Sequence, residues 1–341
     1  MRSRPLAMVS LLATVSLLVT LALAACGGDG DSDTQQDNGG GNGSEGVTFG
    51  AAIRSARAVD AGDFPQPAGH TLQQIAGTLP AVNMGLATSV FEPGPNRLAF
   101  GVIDEDQTFV YGKTVVYLAR RPDGKAIGPF EAPADPLLVE PPFRSRQAAE
   151  VESEIAAIYE AQVDLPRPGP WYVLAMSKAQ GKVFGAASRI DVSRSSPIPA
   201  KGEPAPPVKT DTLASAGGDI DAIETRVPPD EMHEKSFDDV VGKRPVALLF
   251  ATPQLCQTRV CGPVTDIAAQ MQREYGDRME FIHQEVFVDN ELDKGYRRPL
   301  RRFGLETEPW LFTVDGRGRV AARLEGSFGN DAFRDAIEAA L

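Results

Sequence analysis

Thiols and imidazoles are scarce in this chain of 341 residues, which has three cysteines and three histidines. A structural zinc site takes four ligands, and the two cysteines that lie close together have no histidine paired with them, so no zinc spacing is legible. A phosphate-cradling glycine loop, a serine-elbow motif and a pair of catalytic carboxylates are missing too. Basic residues are in deficit, 34 Lys and Arg against 46 Asp and Glu, for a formal net charge of −12. That balance argues against nucleic acid and against adhesion to anionic lipid, and it favours solubility. Beyond the N-terminus there is no run of ~18 apolar residues, so nothing there reads as a membrane span.

What is present begins with "MRSRPLAMVSLLATVSLLVTLALAAC". Arg2 and Arg4 precede residues 5–25, which carry no charge and end in small side chains. This is the pattern of an export signal. Leu23-Ala24-Ala25-Cys26 resembles the bacterial lipoprotein cleavage motif, which implies a signal peptide over 1–25 and lipidation of Cys26. A plain signal peptide or an uncleaved anchor is the alternative. Lipidation also accounts for an odd cysteine in an exported chain. The segment 26–47 that follows is a glycine- and acid-rich tether. Residues 27–46 hold eight glycines and five acids with no large apolar side chain. Such a composition cannot offset its chain entropy by burial, and as a coil it spans roughly 25 Å. The expected location is extracytoplasmic, with the lipid as the only link to a bacterial membrane.

Residues 48–80 have mixed character and give no firm reading. From 81 to 193, short strands rich in Val, Tyr and Phe alternate with the breakers "EPGPN", "RPDGK", "PRPGP" and "AQGK", which predicts an all-β, sandwich-like module. The stretch "IYEAQVDLPRPGPWYVLAMS" resembles the closing strands of small immunoglobulin-like modules of exported bacterial proteins, which implies binding or spacing rather than chemistry. Trp171 and Tyr172 are expected in its core. Residues 194–216 hold five prolines and read as a stiff linker.

After this the pattern changes to strand and helix in alternation, β-α-β-α-β-β-α over 217–341. "PVALLFAT" (245–252) is a buried strand of the parallel kind. In "PVTDIAAQMQREYGD", Val264, Ile267, Ala268, Met271 and Tyr275 form one helical stripe. "PWLFTVD" and "RVAARLEG" make a hairpin around "GRG", and the chain closes with a helix whose expected cap is Asn330 or Asp331. Here the chain resembles the thioredoxin superfamily, in its redoxin or TlpA-type branch, with a lead-in at "GEPAPPV" from about 202. The resemblance implies an α/β fold with a central mixed sheet flanked by helices, places Pro309 in the cis-proline position, and implies thiol–disulfide exchange without a cofactor.

The thiols that would carry this chemistry are Cys256 and Cys261 in "LCQTRVC". Residues five apart in a helix are separated by ~7.5 Å of rise, too far for a disulfide whose Cα atoms lie about 4.4–6.8 Å apart. Gly262-Pro263 therefore sets the helix start at about 262, with Cys261 at its mouth and Cys256 in the preceding loop. A helix N-terminus favours the thiolate. The family register makes Cys256 the attacking and Cys261 the resolving thiol; a rival alignment starts the family's "CGPC" motif at Cys261, with Val264 replacing its second cysteine. Arg259 between them would favour a thiolate or simply be a solvated loop residue. The buried acid of thioredoxins is replaced by Leu248-Leu249, and Glu308, before Pro309, is the nearest substitute.

The expected partners are exported proteins bearing thiols or disulfides, and a membrane electron donor or acceptor of unknown identity. The alternatives are a non-catalytic binding module with a structural disulfide, worth about 2 kcal/mol for so short a loop, a Sco-type Cu(I) chaperone, and a thiol peroxidase. The Sco reading lacks its histidine, since Thr307-Glu308 stand in that place. The peroxidase reading lacks its threonine three residues before Cys256. No metal ligand is assigned: His283 on the strand "FIHQEV" reads as a core or edge histidine, and His233 in "DEMHEK" as a loop residue.

Overall fold

Apolar residues at every second position build an eight-stranded sheet in the first half of the molecule. Its strands are β1 (Ala81–Leu86), β2 (Gly94–Ile103), β3 (Lys113–Ala119), β4 (Ile127–Glu131), β5 (Ala134–Pro136), β6 (Ala157–Leu165), β7 (Gly169–Ala179) and β8 (Lys182–Val192). This computed structural model describes residues 49–151 and 155–341; the expected signal over 1–25, Cys26 and the tether up to 47 lie outside them. The strands hydrogen-bond in the order β4-β3-β7-β8-β1-β2-β6-β5. Leu98, Phe100 and Val102 of β2, Tyr159, Ala161 and Val163 of β6, Val116 and Leu118 of β3, and Trp171, Val173 and Ala175 of β7 share one core. The period of two puts each strand's set on one face. A β-rich body was expected; its hydrogen bonds run through all eight strands because β1 pairs antiparallel with β2 and parallel with β8. Trp171 is buried as expected, whereas Tyr172 is half-buried against the opposite face.

The stretch up to residue 80, whose mixed character allowed no firm reading, contains helix α1 (Phe49–Arg57) and helix α2 (Leu72–Ala76). Thr71 and Gln74 form a reciprocal capping box on α2, satisfying two of its free N–H groups. Leu72 then packs against Val115, Tyr117 and Met176 on the outer face of β3 and β7. A further short helix, α3 (Arg146–Val151), follows β5.

The second half has the expected element order: α4 (Phe237–Val240), then β9 (Val246–Phe250), α5 (Cys261–Tyr275), β10 (Glu280–Gln284), α6 (Arg298–Phe303), β11 (Trp310–Val314), β12 (Val320–Glu325) and α7 (Asn330–Glu338). The sheet runs β10-β9-β11-β12, with β9 and β10 parallel and β11 antiparallel to both β9 and β12. Every residue of β9 is buried. Ala247, Leu249 and Ala251 face the stripe Val264, Ile267, Ala268 and Met271 of α5 and Phe333 and Ile337 of α7. Val246, Leu248 and Phe250 face Leu300 and Phe303 of α6 and Phe237 of α4. A strand covered on both faces needs this unbroken apolar run. This half is a four-stranded mixed sheet between helices, as the α/β expectation required.

The described residues belong to one compact unit, and the proline-rich stretch 194–216 is part of it. Within 194–216, Ile198, Ala205 and Val208 are buried in the core formed by α4, α6 and the sheet. Gly202 N–H donates to Val320 O at 2.8 Å and Ala205 N–H to Gly318 O at 2.9 Å, so the proline-rich stretch lies docked along the β11–β12 hairpin. Proline suits such a strand-edge position because it needs no N–H partner. The two halves also share polar groups. The Asp135 carboxylate of β5 accepts from the N–H groups of Gly329, Asp331 and Ala332 at 2.9–3.0 Å. It, rather than Asn330 or Asp331, caps α7. Glu325 of β12 accepts from Ser89 N, Ser89 Oγ and Val90 N at 2.5–2.9 Å, and Arg97 donates to the carbonyls of Glu325 and Ser327 at 2.9 and 2.5 Å.

Candidate redox site

The end of β9 delivers the chain into the loop 251–260, and α5 begins at Cys261. That is one residue earlier than the Gly262-Pro263 pair implied, and Pro263 is the third helical residue, where its missing N–H still leaves no helical bond unmade. Gly262 is fixed by close approach: a Cβ there would meet the Ala148 backbone nitrogen and Gln147 Cβ of α3, each at 3.2 Å. Helix α5 is further anchored by Asp266, buried beneath α3. Its carboxylate accepts from Arg226 Nε at 2.9 Å and from the Ser145 N–H at 2.7 Å.

Cys256 and Cys261 are both free thiols, Cys256 half-buried and Cys261 fully buried. The Cys256 sulfur accepts a hydrogen bond from the Cys261 thiol, and the backbone N–H groups of Thr258 and Cys261 point at it. Thr258 Oγ1 lies 3.2 Å from Cys256 Sγ. These donors, with the Cys261 thiol foremost, outweigh burial and draw the Cys256 thiol down to about 6. Hydrogen bonds to the charged form favour it. Burial, together with its bond to Cys256, pushes Cys261 well above the ordinary thiol range. The pair is thus split into a ready thiolate and a protonated partner.

Pro309 is buried and its bond to Glu308 is cis, in the position implied by the resemblance. The half-buried Glu308 carboxyl is pushed up to about 7, first by burial and then by the nearby Cys256 charge. It stands close enough to both sulfurs to feel them electrostatically. Arg259 is exposed with φ 60°. Its N–H donates to the Cys256 carbonyl at 3.3 Å, while the leading influences on the Cys256 thiol are hydrogen bonds rather than this guanidinium. Cys256, Cys261 and Glu308 thus lie within electrostatic reach of one another, with Arg259 in the same loop and Pro309 next to Glu308.

A cleft of about 850 Å³ opens beside them, lined by Gln257, Thr258, Glu308 and Tyr296 on one side and by Ile103 and Phe109 from the β-rich half on the other. The sequence reading missed this wall, because no local signal ties residues 86–109 to residues 257–308.

It also missed a buried polar cluster behind the loop. Glu224, Asp230, His233 and His283 are all buried, and their ligating atoms lie within 4.8 Å of one another. His233 is a loop residue, as read, and it is buried. His283 is a core histidine, as read, but with two carboxylates on its Nδ1 side.

No family model and no curated protein matches the chain. Among solved structures, a putative thiol:disulfide interchange protein DsbE from Chlorobium tepidum is 18% identical, covering 42% of this chain and 98% of that one, with a TM-score of 0.30. A thiol:disulfide interchange protein of the thioredoxin family from Chlorobium tepidum TLS is 16% identical, covering 41% and 97%, at 0.29. The endo-beta-1,4-mannanase from Thermotoga petrophila is 13% identical, covering 33% of this chain and 20% of that one, at 0.20.

Proposed function

We propose that this chain is an extracytoplasmic thiol–disulfide oxidoreductase, tethered to a bacterial membrane through lipid on Cys26 and acting on exported proteins. The observation that carries the chemistry is the asymmetric pair: a half-buried Cys256 drawn down to about 6 beside a fully buried, protonated Cys261. In the reducing direction, the Cys256 thiolate attacks one sulfur of a substrate disulfide lying in the cleft. A Cys256–substrate disulfide forms and one substrate sulfur leaves as a thiolate. Cys261 then loses its proton to Glu308 and attacks Cys256, which forms the Cys256–Cys261 disulfide and releases the second substrate sulfur. A membrane-associated dithiol would return the pair to its reduced state. The oxidising direction runs the same steps in reverse. Glu308 suits the proton transfer because a group titrating near neutrality both accepts and returns a proton at working pH. The β-rich half, as one wall of the cleft, would select substrates rather than act only as a spacer.

A glutathione redox titration of the mature chain, read by alkylation and mass spectrometry, tests this. The potential is expected between about −270 and −120 mV; a value below about −300 mV would mark a structural bridge instead. In cells, Cys261→Ser should accumulate mixed disulfides with exported proteins through Cys256, and Cys256→Ser should not. Absence of trapped partners together with the low potential would leave a staple.

A further inference from the structure

The cluster behind the loop has a role that thiol exchange does not absorb. We propose that Glu224, Asp230, His233 and His283 bind one tetrahedral divalent transition-metal ion, Zn²⁺, which clasps the irregular segment before α4 onto β10.

Distances come first. His233 Nε2 lies 3.1 Å from Glu224 Oε2 and 3.5 Å from Asp230 Oδ1; His283 Nδ1 lies 3.2 Å from Glu224 Oε2 and 2.9 Å from Asp230 Oδ2. Four ligands at the Zn–N and Zn–O bond lengths of about 2.0–2.2 Å sit about 3.4 Å apart along the edges of a tetrahedron. The four imidazole–carboxylate separations, 2.9–3.5 Å, are of this size, and all the ligand atoms lie within 4.8 Å of one another.

The tautomers point the same way. His283 Nε2 lies 3.2 Å from the Ala251 carbonyl oxygen, which only accepts, so Nε2 carries the proton. That N–H to a carbonyl is the outer contact that orients metal-bound histidines. With Nε2 protonated, Nδ1 meets the two carboxylate oxygens at 2.9 and 3.2 Å, and contacts this short among groups that otherwise offer only lone pairs need a shared positive charge. A cation has to lie there, either a metal ion or added protons. His233 presents Nε2 to the same two carboxylates, and its Nδ1 has no hydrogen-bond partner, so no second contact ties this ring to one tautomer. One divalent ion balances the two carboxylates. The donor set of two imidazoles and two carboxylates suits Zn²⁺ and lacks the sulfur that Cu(I) prefers.

The surroundings supply the reason for a clasp. Residues 205–236 contain one regular element, the single turn Ile220–Ala222. Stretches this long without structure are uncommon in compact proteins. Three of the ligands fall in that segment and the fourth on β10, so the ion would cross-link them. The same segment supports the redox loop: Thr225, next to Glu224, accepts from the Gln254 N–H at 3.2 Å and donates to Glu285 at 2.5 Å.

The test uses the purified mature protein, stripped with a chelator and titrated with ZnCl₂ or CoCl₂. We expect one zinc per chain by elemental analysis, a rise in melting temperature on zinc addition, and the intense visible absorption of tetrahedral Co²⁺ without thiolate charge-transfer bands. The Cys256→Ser/Cys261→Ser double variant should keep the Co²⁺ signal, and Asp230→Asn and His233→Gln should lose it. Because the native chain is itself titrated, misfolding of a variant cannot decide the outcome. No metal uptake and no thermal shift by the native chain would overturn the proposal and assign the cluster to protons. Loss of the Co²⁺ signal in the double cysteine variant would overturn it in favour of the thiols.

Discussion

The fully buried Cys261 thiol donates its hydrogen to the half-buried Cys256 sulfur, so the two members of the pair are held in opposite protonation states. Reactivity is thereby assigned to one sulfur before any substrate arrives. The alkylation rate of Cys256 should rise through a pH of about 6 and level off by about pH 8, while Cys261 stays unreactive across that range. Peptide mapping after timed iodoacetamide pulses measures this. A shared titration of both thiols near their ordinary value would contradict the assignment. Because the Cys256 value is lowered on folding, its contribution to the stability of the reduced form is complete above the ordinary thiol value. It is lost as pH falls through about 6.

Glu308 runs the other way. Its folded value is raised from 4.5 to about 7, so folding favours the protonated carboxyl, and the wild type should lose stability relative to Glu308→Gln as pH climbs through that window. Denaturant midpoints of the reduced proteins at pH 4.5 and 7.5 measure the difference. The same variant should slow resolution of the mixed disulfide by about 10²-fold, the scale of a lost proton acceptor, in stopped-flow single turnovers. Unchanged resolution kinetics would remove Glu308 from the mechanism.

Gly326 tests whether the two halves depend on each other. It has φ 69°, and a Cβ there would lie 1.6 Å from the Ala87 carbonyl oxygen. Gly326→Ala therefore combines left-handed strain with a backbone clash, and a loss of about 3 kcal/mol is expected. The wild type should melt in one transition seen equally by Trp171 and Trp310 fluorescence, and the variant at lower temperature. Two separate transitions in the wild type would show that the shared caps and latches contribute little.

The lipid anchor is tested by Cys26→Ala. We expect the wild type to carry lipid on Cys26 and to partition into detergent, and the variant to appear in the medium or as unprocessed precursor. A mature N-terminus at another residue, without lipid, would refute it.

The α/β half was legible because its signals are local. The unbroken apolar run of β9, the 3.6-residue stripe of α5 and the hairpin around Gly316-Arg317-Gly318 each follow from the residues they contain, and a buried parallel strand or an amphipathic helix has few other readings. Cys256, Cys261 and Pro309 could be matched for the same reason, since each sits at a fixed offset from such an element. Composition reported the stiffness of 194–216 but not its docking; Ile198, Ala205 and Val208 are buried because α4, α6 and the β11–β12 hairpin offer them a surface.

The sequence by itself determined the element order of the α/β half, the buried faces of β9 and α5 and the pair of thiols, since periodicity and spacing act over a few residues. Only the tertiary structure sets the two thiols apart in acidity, because the difference between Cys256 and Cys261 comes from unequal burial and from donors placed around one sulfur. It alone joined Asp135 to α7, placed Ile103 and Phe109 in one cleft with Gln257 and Thr258 of the redox loop, and brought His233 within reach of His283. Those contacts link residues tens to hundreds of positions apart, and what fixes them is the shape into which separately formed elements close-pack, a property no stretch of sequence carries alone.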